Sequence, residues 1–197
     1  MDRENFEWIH SWCDNVLDNS LPRVLLIGDS ITYGYHELVR EKLRGKCYVD
    51  TLATSYAVDN PFFHTLTEGF VKTSPYSLIH CNNGIHGRYM SAEIYEAGMT
   101  DLVNMLLKYS KTILAASTYV YEKELTGPHP LFSTVIPERN AIVRKIAKKY
   151  DCPVDDLYAV SAQLDKTFYS SDGTHLQSSG YAVLADAVSD SILQKLL

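Results

Sequence analysis

No C-x-x-C pair and no glycine-rich phosphate fingerprint occurs in the 197 residues, and no apolar run approaches the ~20 residues of a membrane span. The first absence leaves four isolated cysteines, Cys13, Cys47, Cys81 and Cys152, which read as reduced structural thiols. The second, with neither G-x-G-x-x-G nor a P-loop, weakens any reading as a nucleotide binder. The seven histidines have no metal-ligand spacing, so neither a metal nor a cofactor is expected. The first ten residues carry no basic stretch followed by an apolar one, so no signal peptide is expected. A cytoplasmic location fits the thiols. A net charge of −6 argues against nucleic acid or an anionic membrane as partner, leaving a small molecule. Hydrophobic content of 46% is enough for one sizeable core, and the chain is short for two.

Strand-like and helix-like stretches alternate along the chain. Phe6, Ile9, Trp12, Cys13, Val16 and Leu17 share one face of a helix over residues 3–18, so residues 1–20 are expected as a helical extension. Apolar runs at 24–27, 47–53, 77–81, 112–116 and 153–157 read as five strands. Helical spacing covers 31–46, 62–72 (weakly), 91–109, 137–150 and 178–196, with Pro137 suited to a helix start. Five alternations predict a mainly parallel sheet with helices on both faces, one α/β domain over residues 1–197.

Two stretches carry chemistry. Val24–Ile27, four apolar residues without alternation, read as a strand buried on both faces. Gly28 breaks it, and Asp29-Ser30 fall where an amphipathic helix begins, either as helix caps or as a reactive hydroxyl at a positive helix end. Far downstream, Asp172-Gly173-Thr174-His175 puts an acid and an imidazole three residues apart. The acid can accept from one ring nitrogen, leaving the other to take a proton from Ser30. In an open parallel sheet the segment Asn82–Gly87, after the third strand, faces the same crevice as Ser30.

With these blocks the chain resembles the SGNH (GDSL) esterases and lipases over residues 23–190. The resemblance implies a three-layer α/β/α, flavodoxin-like fold with a five-stranded sheet in the order 2-1-3-4-5. It implies Ser30 as nucleophile, His175 as general base and Asp172 as the acid that orients it, acting on a small ester through an acyl-enzyme. Carbohydrate O-acetyl esters are the natural substrate class for such an enzyme. The two middle blocks diverge. Tyr56 stands where the family has an oxyanion-hole glycine, and His86 of Gly84-Ile85-His86 stands at the usual asparagine. The candidate oxyanion donors are therefore Ser30, Tyr56, Asn82, Gly84 and His86, with Asn83 as a further amide. Asp29, Tyr119 and Tyr121 are candidate substrate contacts, and His129 and Phe132 lie on the same long connection. A silent binding module on the same fold and an acyltransferase remain as alternatives.

Overall fold

The computed structural model describes residues 6–121 and 131–196, and its centre is the strand Arg23–Gly28, every residue of which is buried. Six strands form one sheet: β1 (Ile9–Trp12), β2 (Arg23–Gly28), β3 (Tyr48–Thr54), β4 (Leu78–Cys81), β5 (Thr112–Ala115) and β6 (Val154–Asp155). Their order is β1-β3-β2-β4-β5-β6. The expected five-stranded parallel arrangement is present in full as β3-β2-β4-β5-β6. The sixth strand, β1, adds antiparallel to β3 with Ile9 opposite Thr54 and Trp12 opposite Thr51.

Side-chain alternation along β2 divides the core between two helical layers. Leu25 and Ile27 pack with Phe63, Tyr95, Leu102 and Val143, from α2 (Pro61–Val71), α3 (Ala92–Leu106) and α4 (Phe132–Tyr150). Val24 and Leu26 pack on the other side with Val39, Leu184 and Val188, from α1 (Ser30–Lys42) and α6 (Ser178–Leu196). A short helix, α5 (Leu157–Ser161), begins where the fifth strand was expected to continue.

The N-terminal helix expected over 3–18 does not form in residues 6–18, and residues 1–5 lie outside the described residues. The physical reason is a competition for carbonyls. Arg23 donates to the carbonyls of Asp14, Asn15 (3.1 Å) and Asp18 (3.3 Å), which a helix would need for its own ladder. The edge of β3 meanwhile offers residues 9–12 an unpaired backbone. The apolar positions at helical spacing are left outside, with Leu17 fully exposed. Helix α4 also starts five residues before Pro137. The proline is accommodated inside it, leaving the Ser133 carbonyl without its usual N–H partner. In α3 the inward stripe is Tyr95, Met99, Leu102, Val103 and Leu106, while Ile94 is exposed, and the helix ends at Leu106, short of the 109 expected from the spacing.

Arg23 is itself buried and paired with the buried Asp50 at 2.7 Å, whose other oxygen accepts from Tyr76 Oη at 2.8 Å. Removing the cation leaves a carboxylate in the core. Arg23→Met is therefore expected to lower the unfolding free energy by about 3–5 kcal/mol in urea titration. A loss below about 1 kcal/mol, the value of an exposed pair, would contradict this role.

Candidate active site

Ser30 is placed by an abrupt strand-to-helix junction. Asp29 is extended (φ −116°) and caps α1, its Oδ1 accepting from Ile31 N–H at 2.9 Å. The first helical turn folds so tightly onto the strand end that a Cβ on Gly28 would lie 2.0 Å from Thr32 Oγ1. Asp29, a candidate substrate contact in the sequence, is 1% exposed, with its Oδ1 engaged in the helix cap. Ser30 occupies the first helical position, where backbone N–H groups have no intrahelical acceptor and the helix dipole is positive.

The partner arrives from the far end of the chain. His175 Nε2 lies 2.8 Å from Ser30 Oγ, and His175 Nδ1 lies 2.7 Å from Asp172 Oδ2. The other Asp172 oxygen accepts from the N–H groups of Thr174 and His175, each at 2.9 Å. Burial pushes the Asp172 carboxyl up, but the hydrogen bonds from the His175 ring and from the two N–H groups outweigh it and hold the group below the usual carboxylate range. An ionised carboxylate can only accept, so Nδ1 carries the imidazole hydrogen and Nε2 accepts from the serine hydroxyl. Gly173 makes the turn possible: its φ is +72°, and a Cβ there would meet the Tyr121 carbonyl at 1.9 Å.

The opposite wall follows β4. Asn82 N–H continues the ladder to the Ile27 carbonyl at 2.9 Å, which brings residues 82–87 beside the β2–α1 junction. The Asn82 side chain turns away, donating to the Ala115 carbonyl at 3.0 Å and reaching Ser117 Oγ at 3.4 Å. Asn83 Nδ2 donates to the Tyr56 carbonyl at 3.1 Å. Tyr56 N–H, expected in an oxyanion hole, donates at 3.2 Å to Thr54 Oγ1. Of the expected donors, Asn82 and Tyr56 are thus committed elsewhere. Ser30 N–H stands in the first turn of α1, and the Gly84–His86 segment follows β4 on the neighbouring strand.

Tyr119 and Tyr121 are also directed inward. Their rings meet edge to face at 4.9 Å, Tyr119 packs on Tyr158 and Tyr121 on Tyr169, and Tyr121 Oη donates to the Leu164 carbonyl. These contacts hold the connection onto the domain, and Tyr121 N–H donates at 2.7 Å to the Gly173 carbonyl in the turn that carries Asp172 and His175. Phe132 begins α4, under the Arg88 guanidinium, and His129 lies outside the described residues.

Two residues escaped the sequence reading. Trp8, just before β1, sits between Tyr33, one turn past Ser30, and His86, with ring centroids 6.3 and 6.5 Å away. Arg139 was legible only as a charge in register with the apolar positions Ile136, Val143 and Ile146 of α4. It is 2% exposed and binds three carbonyls of the 84–87 segment. A cavity of about 450 Å³ runs beside α1 and the start of α6, lined by His10, Tyr33, His36, Ser178 and Tyr181 among others.

No protein-family model and no curated protein matches the sequence. Solved structures do match. The acetylxylan esterase Axe2 from Geobacillus stearothermophilus superposes with a TM-score of 0.70 at 18% identity, covering 89% of this chain and 94% of that one. A lipase/acylhydrolase from Enterococcus faecalis gives 0.69 at 18% identity, over 88% and 96%. The acetyl xylan esterase AlAXEase gives 0.67 at 17% identity, over 86% and 99%. The chain has the fold of the SGNH hydrolases, with β1 added at one edge.

The junction at Gly28 carries a direct expectation. Gly28→Ala forces Thr32 out of the first turn, at a cost of about 1–3 kcal/mol in denaturant unfolding. Unchanged stability would mean the turn has room that the 2.0 Å approach denies.

Proposed function

We propose that this chain, on its SGNH-hydrolase fold, is a serine esterase that cleaves small esters through an acyl-enzyme on Ser30. The observation that carries the reading is the 2.8 Å hydrogen bond from Ser30 Oγ to His175 Nε2, across 145 residues of sequence, with Asp172 on the other ring nitrogen. A serine hydroxyl is a weak nucleophile until a base takes its proton as it attacks. In this reading His175 takes that proton while Ser30 Oγ bonds to the ester carbon. The carbonyl oxygen becomes an oxyanion, and the resulting imidazolium is stabilised by ionised Asp172. Collapse expels the alcohol, which receives the proton from His175. Water then repeats the sequence on the acyl-enzyme, releasing the acid and restoring Ser30.

The His175 and Asp172 side chains are 42% and 50% exposed, so water has ready access to the base for the second half of the cycle. The substrate class we infer is a short acyl ester of a carbohydrate. Two of the similar structures are named acetyl xylan esterases, and Trp8 and Tyr33 offer rings beside the site on which a sugar face can pack.

The purified chain is expected to hydrolyse an aryl acetate, followed by release of the coloured phenolate. Ser30→Ala should lower kcat by about 10⁶-fold, and Asp172→Asn by about 10⁴-fold through the wrong imidazole tautomer. Full activity in Ser30→Ala would remove the reading. Asp172, held below the ordinary carboxylate range, stays charged as pH falls and loses its charge only below that range. The Asp172→Asn deficit in kcat should therefore be fully expressed at about pH 8, far above the range in which Asp172 takes up a proton.

A further inference from the structure

Four carbonyls between residues 83 and 87 accept from side chains of α3 and α4. Arg139 Nη1 donates to the Gly84 carbonyl at 2.9 Å and the His86 carbonyl at 2.7 Å, and Nη2 donates to the Gly87 carbonyl at 2.6 Å. Tyr95 Oη donates to the Asn83 carbonyl at 2.8 Å, and the guanidinium carbon stands 4.8 Å from the centroid of the Tyr95 ring. Among the described residues no carboxylate pairs with Arg139. A buried cation is therefore held by three carbonyl dipoles and a π face, an arrangement that is costly unless every donor is well matched.

In a trans peptide the N–H points opposite to the carbonyl it follows. With the carbonyls of Gly84 and His86 turned toward Arg139 of α4, the N–H groups of Ile85 and Gly87 turn the other way. Helix α1, which Ser30 begins, packs on that opposite side of the sheet. The Ile85 side chain packs in one cluster with Ile31 and Leu176, the residues that follow Ser30 and His175. Tyr95, against which Arg139 lies, belongs to the cluster across the sheet. A cation bound to a carbonyl also polarises its peptide, making the attached N–H a stronger donor.

We propose that Arg139 is a positioning residue for oxyanion stabilisation: it fixes and polarises the 84–87 segment so that backbone N–H groups meet the charge that develops on the ester oxygen. The inference rests on the esterase reading and adds the element that the diverged middle blocks left open. Arg139 touches no substrate. Its effect on turnover runs through the segment it holds, and it falls on the transition state more than on ground-state binding.

The test uses Arg139→Gln and Arg139→Lys in the full chain. It measures kcat and KM on an aryl acetate, the affinity for phenylboronic acid, and the thermal midpoint of each variant. The boronate adduct on a serine carries a negative oxygen where the oxyanion forms, so its affinity reports the hole directly. Arg139→Gln is expected to lose about 10²-fold in kcat and in boronate affinity, with KM nearly unchanged. Arg139→Lys keeps the charge but not the planar fork, and is expected to lose about 10-fold. Wild-type kcat and boronate affinity in either folded variant would overturn the proposal, even if the thermal midpoint drops. A wild-type chain that neither turns over the ester nor binds the boronate overturns the esterase reading, and this inference with it.

Discussion

Two parallel ladders meet on β2, and every group at the candidate site takes its position from them. Pairing with β3 on one side and β4 on the other makes β2 the strand at which the chain changes direction across the sheet. Ligand crevices form at such points, beyond the carboxyl ends of the strands. Ser30 is delivered there by the Gly28 junction, and residues 82–87 by the Asn82–Ile27 hydrogen bond. The 169–176 turn then only has to close over the same edge. Its Tyr169–Leu176 bridge and the hydrogen bond from Tyr121 N–H to the Gly173 carbonyl fix that closure from two directions.

Charge is distributed unevenly around this frame. The pairs that hold the scaffold are buried: Arg23 with Asp50, and His80 with Asp155 at 2.9 Å inside the sheet. The acid and base that would perform chemistry are half exposed, and Asp172 has its charge supported by two backbone N–H groups in addition to the imidazole. An exposed Asp–His pair contributes little to stability. Its value lies in fixing one tautomer of His175 and one direction for Nε2. Arg139 is the intermediate case, a buried cation whose partners are backbone carbonyls of the segment that follows β4.

Much of the fold was legible because buried parallel strands leave continuous apolar runs, and because Gly28-Asp29-Ser30 and Asp172-Gly-Thr-His175 compress their geometry into a few adjacent residues. What escaped was settled by long-range partners. Phe6 to Leu17 repeat at helical spacing, yet Arg23 takes the carbonyls and β3 takes the backbone, so a strand and turns form instead. Tyr56 and Asn82 have the chemistry of oxyanion donors, but Thr54 and Ala115 claim their hydrogens. Arg139 carried a sequence signal, a charge on an apolar helical stripe. Its meaning depends on a loop about fifty residues upstream that no local pattern connects to it.

The central claim is that Ser30 is a nucleophile made reactive by His175. Covalent labelling with a fluorophosphonate, located by peptide mass spectrometry on the folded chain, tests it most directly. The account predicts one phosphonyl group per chain, on Ser30, with labelling abolished in His175→Ala at unchanged fold. Labelling at another residue, or none at Ser30 in a folded wild-type chain, would contradict it.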